Sequence, residues 1–151
     1  MTKKISIITP TFNEEENIEK LCLKISEEMK KLNYDYEHII IDNHSDDKTI
    51  SIIKKIAEKD KKIKVIINAR NFGHIRSPIY GMLQASGDAC IMMSSDFQDP
   101  PELIPKYISE WEKGNKIILG QRTTSDENFL MNSFKNLFYK FIQSISEAPL
   151  M

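Results

Sequence analysis

An open α/β sandwich on a largely parallel sheet is the fold class that this 151-residue sequence predicts. Three observations predict it. Strand and helix patterns alternate from the first residues, the strands are short and almost wholly apolar as in sheets covered on both faces, and polar clusters recur where the strands end. No internal repeat, low-complexity tract or linker interrupts the alternation, so residues 1–151 read as one domain.

The first strand is Ile5-Ser6-Ile7-Ile8-Thr9, expected to stop at Pro10. Asn13 offers an N-cap to Glu14-Glu15-Glu16, and the helix that follows carries Ile18, Leu21, Cys22, Ile25, Met29 and Leu32 at the spacing of one buried face. His38-Ile39-Ile40-Ile41 forms a second strand ending at Asp42. A polar loop through Asn43, His44, Ser45, Asp46 and Asp47 leads to a helix carrying Ile50, Ile53, Ile56 and Ala57. Residues 63–67 make a third strand. The loop Asn68-Ala69-Arg70-Asn71-Phe72-Gly73-His74 precedes a helix through Tyr80, Leu83 and Ala85, with Gly87 as its stop. A fourth strand, Ala89 to Met93, runs into an acidic turn and a helix from Pro101 to about Lys113, stopped by Gly114. A fifth strand is expected over 116–119 and a last helix over 129–145, with Leu130, Phe134, Leu137, Phe138, Phe141 and Ile145 on one stripe.

Composition excludes several classes. The net charge of -1, with lysine pairs dispersed along the chain, lacks the one-sided basic excess of a nucleic-acid binder. Cys22 and Cys90 sit in apolar segments without C-x-x-C or histidine-spaced companions, so they read as buried small hydrophobes rather than zinc ligands or a disulfide. The N-terminal residues run into a strand pattern without the apolar core of a signal peptide, and no apolar run approaches a membrane span. The expected location is cytoplasmic, with any membrane contact peripheral, at its inner face.

In an open α/β sheet, ligands sit outside the carboxyl ends of the strands. Four polar clusters fall there: residues 10–14, 42–47, 70–74 and 94–99. In Ser94-Ser95-Asp96-Phe97-Gln98-Asp99-Pro100-Pro101-Glu102 an extended backbone would put Ser94, Asp96 and Gln98 on one face and turn Phe97 to the core. That is half a shell for Mg²⁺ or Mn²⁺, which protein carboxylates commonly hold together with substrate phosphates. On residue type alone the same stretch also reads as an acidic helix start, and Asp42 as a helix cap. The first strand is followed by Thr9-Pro10-Thr11-Phe12-Asn13-Glu14 instead of G-x-G-x-x-G, and no Walker loop occurs. Phosphates bound here would therefore rely on a cation.

The segments Ile8-Thr9-Pro10-Thr11-Phe12-Asn13-Glu14-Glu15, Ile41-Asp42-Asn43-His44-Ser45-Asp46-Asp47-Lys48-Thr49, Arg70-Asn71-Phe72-Gly73-His74 and Ser95-Asp96-Phe97-Gln98-Asp99-Pro100-Pro101-Glu102 resemble, in order, the motifs of family 2 glycosyltransferases. The likeness is greatest to the polyprenyl-phosphate hexosyltransferases, over about residues 5–140. It implies a Rossmann-like three-layer α/β/α sandwich of the GT-A type, and transfer of a hexosyl group from a UDP- or GDP-sugar to a polyprenyl phosphate or a glycan, with inversion. It implies that Pro10, Phe12 and Glu14 contact the base, Asp42 the base or ribose, and that Asp47 fills the second acidic position. Arg70, Gly73 and His74 would flank the diphosphate, Asp96 would bind the metal with Gln98 beside it, and Arg122 would face the acceptor phosphate. Asp99 is the candidate base.

Departures from the family's pattern are also legible. Ser94 stands where many relatives carry a first aspartate, Asn43-His44 replaces an Asp-Gly turn, and Arg76 and Pro78 occupy positions where small residues are common. The family continues beyond the position of Met151 into an acceptor-site half, so a non-catalytic nucleotide-binding fragment is the competing reading. A nucleotidyltransferase would carry a glycine-rich first loop, and a receiver domain a first-strand acidic pair; neither is present.

Overall fold

The computed structural model describes residues 3–121, with 138, 142 and 143 as isolated helical positions. The chain divides into two compact units, Met1–Ile118 and Leu119–Met151, and the first contains the whole sheet. Its strands are β1 (Lys4–Thr11), β2 (Asp35–Asp42), β3 (Ile63–Ile67) and β4 (Ala89–Met92), and its helices α1 (Ile18–Lys30), α2 (Thr49–Lys59), α3 (Gly73–Leu83) and α4 (Ile104–Glu112).

Among the described residues the sheet has four strands in the order β3-β2-β1-β4, all pairing in parallel. This layout follows from chirality. The steps from β1 to β2 and from β2 to β3 move in one direction, so right-handed crossovers put α1 and α2 on one face; the step from β3 to β4 reverses direction and sends α3 over the other. Side-chain parity agrees. Ile5, Ile7, Tyr36 and Ile91 pack with Leu21, Ile25 and Met29 of α1 and Ile104 and Ile108 of α4. Ile40 and Ile63 pack with Ile18, Cys22 and Ile53. On the opposite face α3 presses so close that a Cβ on Gly81 would lie 3.0 Å from Ile8 Cγ2 and 3.2 Å from Ile41 Cγ2.

Several local expectations need correction. β1 does not stop at Pro10 but pairs on to Thr11. Ile8 O accepts from Met93 N, so Pro10, two residues on, turns its missing N–H to the side where β4 has already ended, and the ladder loses nothing. Asn13 is not a helix cap; α1 begins at Ile18, after a turn in which Asn17 N and Ile18 N both donate to Glu14 O. Gly87 does not end α3, which stops at Leu83. It lets the chain pass β1, since a Cβ there would sit 2.7 Å from Ser6 N. Cys22 is buried, which pushes its thiol up to about 12, but Cys90 is exposed. No fifth strand forms over 116–119: none of these residues pairs with a strand, and Ile117 and Leu119 are exposed. The last helix expected over 129–145 lies, apart from positions 138, 142 and 143, outside the described residues.

At the amino ends of the strands, Glu37 is buried and shared. It accepts from Ser6 Oγ at 2.6 Å, Ser86 N at 2.7 Å and Ser86 Oγ at 2.8 Å, and it pairs with Lys64 and Lys4. Burial pushes this carboxyl up, but the bonds from Lys64, Ser6 and Ser86 together hold it well below the usual carboxylate range. This clamp ties β1, β2, β3 and the entry to β4 together.

Candidate functional site

Left-handed backbone marks the other end of the sheet. Each of the four loops after the strands carries one residue with positive φ: Asn13 at 55°, His44 at 71°, Gly73 at 83° and Phe97 at 59°. Among the described residues the only other is Gly114. For the three side-chain-bearing residues, Phe97 above all, this conformation is costly, and costs of this kind gather at binding sites.

The loops after β1 and β2 are knitted to each other by reciprocal hydrogen bonds. Asn13 N donates to Ser45 Oγ at 2.9 Å while Asp46 N donates to Asn13 Oδ1 at 3.0 Å. Glu14 N reaches Thr49 Oγ1 at 2.8 Å, and Lys48 N reaches Glu15 Oε2 at 2.9 Å. The acidic residues singled out from the sequence are part of this weave. Asp42 is fully buried; its Oδ1 accepts from His44 N at 3.1 Å and Ser45 N at 3.0 Å, and its Oδ2 from Ser45 Oγ. These bonds also explain how His44 holds a left-handed backbone where glycine is the usual occupant. Asp47 accepts from Thr49 N, the first amide of α2, at 2.8 Å and from Glu15 N at 3.2 Å. Burial pushes the Asp47 carboxyl up, but the Thr49 hydroxyl and these amides together lower it below its ordinary value. Glu14 accepts from Asn17 Nδ2 at 2.9 Å, Pro10 is half-buried, and Phe12 is exposed at the mouth.

A second weave ties the loop after β3 to the loop after β2, with Asn43 as its hub. Its Nδ2 donates to Asn71 Oδ1 at 2.8 Å and Gly73 O at 3.4 Å, and its Oδ1 accepts from Phe72 N at 2.9 Å and Asn68 Nδ2 at 3.2 Å. Only an amide can donate and accept in this way. The hub sets the segment from which Arg70 and His74 project into solvent, with the Arg70 guanidinium 4.9 Å from the centre of the Phe72 ring.

The acidic turn after β4 is built differently. β4 ends at Met92, and residues 95–99 turn rather than run extended, so the alternation expected for Ser94, Asp96 and Gln98 does not occur. Phe97 does pack towards the core, through its left-handed backbone. Asp99 Oδ2 closes the turn, accepting from Ser94 Oγ at 3.0 Å and Ser94 N at 3.3 Å. Asp96 is exposed: its Oδ1 accepts from Gln98 N at 3.0 Å, which fixes the carboxylate and leaves Oδ2 without a partner among the described residues. Gln98 is exposed beside it. Arg122 lies outside the described residues.

A hard cation fits this donor set in one way only. Among the described residues no three His, Cys, Asp or Glu side chains gather into a cage of protein ligands. One fixed, exposed carboxylate suits Mg²⁺ or Mn²⁺ completed by phosphate oxygens and water. Sequence reasoning missed two residues. Asn43 reads from the sequence as a member of the polar loop after β2 and as a departure from a turn motif, with no role of its own, although an amide between two polar loops is a usable signal. Thr11, at the end of β1, holds the one buried side-chain polar atom without a partner among the described residues, its Oγ1. No sequence signal marks that hydroxyl. A groove of about 530 Å³ between α1 and α2, floored by Cys22, Ile52, Ile56 and Ile63, includes none of the four loops and plays no part in this site.

The family model described as glycosyl transferase family 2 matches residues 6–148. A bactoprenol glucosyl transferase of Shigella phage SfV is 36% identical over 148 residues, which are 97% of this chain and 48% of the relative. The dolichol-phosphate mannosyltransferase of Pyrococcus furiosus is 38% identical over 119 residues, 79% of this chain and 33% of its own. Glucosyl-3-phosphoglycerate synthase of Mycobacterium tuberculosis, solved with Mn²⁺, UDP-glucose and phosphoglyceric acid, superposes with a TM-score of 0.58 at 26% identity, covering 76% of this chain and 41% of that one. The chain spans less than half the length of the curated relatives it matches.

Proposed function

Because the chain belongs to glycosyl transferase family 2, we propose that it binds a nucleoside diphosphate sugar at the carboxyl edge of its sheet and serves transfer of the hexosyl group to a lipid phosphate. The observation that carries this reading is Asp96, an exposed carboxylate with one oxygen pinned by Gln98 N at the end of β4, at the same sheet edge as Asp42 and Asp47, whose carboxylates are already bonded within the protein. Mg²⁺ or Mn²⁺ on Asp96 and the donor's phosphates would stabilise the charge gathering on the leaving diphosphate. The Mn²⁺ and UDP-glucose in the mycobacterial neighbour support that choice of ligands.

The protein's own residues divide the remaining work. Gln98 orients beside Asp96, and Arg70, Gly73 and His74 flank the diphosphate. Phe12, Pro10 and Glu14 face the base, with the Thr11 hydroxyl beneath them. Asp42 and Asp47 shape the loops that receive the nucleotide. In the transfer, an acceptor phosphate oxygen bonds to the anomeric carbon from the face opposite the diphosphate. The old C–O bond breaks and its electron pair leaves with the nucleoside diphosphate, giving inversion. An acceptor oxygen that is already anionic needs no base, which leaves Asp99 to its turn-closing bonds. Bactoprenol and dolichol phosphate, named for two relatives, support a polyprenyl phosphate as acceptor, and a lipid acceptor of that kind would put the work at a membrane surface, on the cytoplasmic side.

Calorimetric titration with UDP- and GDP-sugars, with and without Mn²⁺, tests the donor site. Metal-dependent binding in the wild type that disappears in Asp96→Ala is expected. Absence of that binding, or its survival in the variant, overturns the reading. Radiolabelled hexose transfer to a polyprenyl phosphate by the 151-residue chain separates a complete catalyst from a donor-binding half.

A further inference from the structure

α3 wears its large apolar residues on the outside. The side it lays on the sheet is small, with buried Ser77, Pro78 and Gly81, as the close approach to Ile8 and Ile41 requires. Its outer side carries Ile75 at 62%, Ile79 at 50% and Leu83 at 75% exposure, with Met82 at 41%. At 3.6 residues per turn these four fall within an arc of about 100°. A helix apolar on both sides is normally enclosed, and a patch of this kind on a soluble surface marks a binding face.

Charge narrows the choice of partner. No aspartate or glutamate occurs between Asp60 and Asp88, whereas Arg76 borders the stripe, and Arg70 and His74 stand at its head, where α3 leaves the candidate site. Phe72 and Tyr80, both exposed, flank it. A bilayer rich in anionic headgroups offers both complements, acyl chains for the stripe and phosphates for the arginines. A purely apolar protein face would give the cations nothing to pair with.

We propose that the outer stripe of α3, Ile75, Ile79, Met82 and Leu83 with Arg76, docks the domain on an anionic membrane surface. Docking here would hold the mouth of the donor site close to the headgroups, where a lipid phosphate presents itself. The purpose of this contact rests on the lipid-acceptor reading above; its test does not, because no donor is present.

The experiment is co-sedimentation of the 151-residue chain with phosphatidylcholine vesicles, with and without phosphatidylglycerol. Binding that needs the anionic lipid and weakens with salt is expected. Ile75→Gln/Ile79→Gln/Leu83→Gln, all exposed positions, is expected to weaken it by more than about tenfold, and Arg76→Gln by about fivefold on anionic vesicles only. Donor titration and thermal melting of both variants control for folding and should match wild type. No binding to anionic vesicles overturns the proposal, as does binding unchanged in the triple variant. A wild type that is dimeric by light scattering, with a monomeric triple variant, assigns the stripe to a second copy and overturns it as well.

Discussion

The loops after β1 and β2 and the turn after β4 sit at the same edge of one sheet and are all acidic, yet they use their carboxylates in opposite ways. In the first pair Asp42 and Asp47 are spent on backbone amides of their own loops. In the turn the structural duty falls to Asp99, which closes the bend on Ser94, and Asp96 is left presenting an oxygen to solvent. Acidic residues at a strand end are therefore not equivalent candidates for a ligand. A carboxylate surrounded by donors of its own chain builds a surface, and one held by a single amide keeps an oxygen open to solvent.

Substitutions can break this contrast. The largest effect is expected from Asp96→Ala, which should lower metal-dependent affinity for the nucleotide sugar by about a hundredfold or more, while changing unfolding free energy by less than about 0.5 kcal/mol. Titration calorimetry beside urea denaturation reads both. Asp42→Ala should show the reverse weighting. Two amides lose their acceptor in a buried place, and denaturation should report a loss of about 3 kcal/mol, with weaker nucleotide binding following from loop disorder. If Asp42→Ala stayed stable and lost only binding, the contrast would be wrong.

Acid tests the floor beneath the knitted loops. His38, in β2, is fully buried with its Nε2 2.9 Å from Thr9 Oγ1, and burial pushes its pKa down to about 4 from 6.5. Between those values the unfolded chain takes up a proton that the folded chain refuses. Stability from this group is thus complete above pH 6.5, falls as pH drops towards 4 and changes no further below. The fall amounts to about 3 kcal/mol, and His38→Gln should flatten that part of a pH series of urea melts. The smallest effect is expected at the amide hub. Asn43→Asp keeps the acceptor for Phe72 N and Asn68 but turns a second oxygen on Asn71 Oδ1 and Gly73 O. The cost should be about 1 to 2 kcal/mol, with a lower affinity for nucleoside diphosphates and no change for the nucleoside alone. Equal losses for both ligands would show that the hub does not set the diphosphate loop.

Much of the fold is legible in the sequence. The apolar runs at Ile5, Ile39, Ile63 and Ala89 named all four strands, and the spacing of Ile18, Leu21, Cys22, Ile25 and Met29 named the buried face of α1. Misreadings came at boundaries. Pro10 and Gly87 read as punctuation because that is their common local use; here β4 ends before Pro10's missing donor is needed, and Gly87 is small because a Cβ there would sit 2.7 Å from Ser6 N of β1. Residues 116–119 have strand composition, but an apolar run becomes a strand only beside a neighbour that shares its hydrogen bonds, and none of the described strands pairs with it.

By itself, then, the sequence determined the periodicities, the parallel α/β class and the set of polar loops at one sheet edge, because these depend on local spacing and the chirality of the chain. It also determined the family, through four motifs in order. Asp42 is closed by amides of its own loop, but tertiary structure alone decided how Asp47 is used: Glu15 N, 32 residues away in the loop after β1, reaches its carboxylate. Only the packing of α3 decided that Ile75, Ile79 and Leu83 face outward, because Gly81 must lie on Ile8 and Ile41. Hydrogen-bond satisfaction and close approach are properties of the assembled chain, and no reading of spacing contains them.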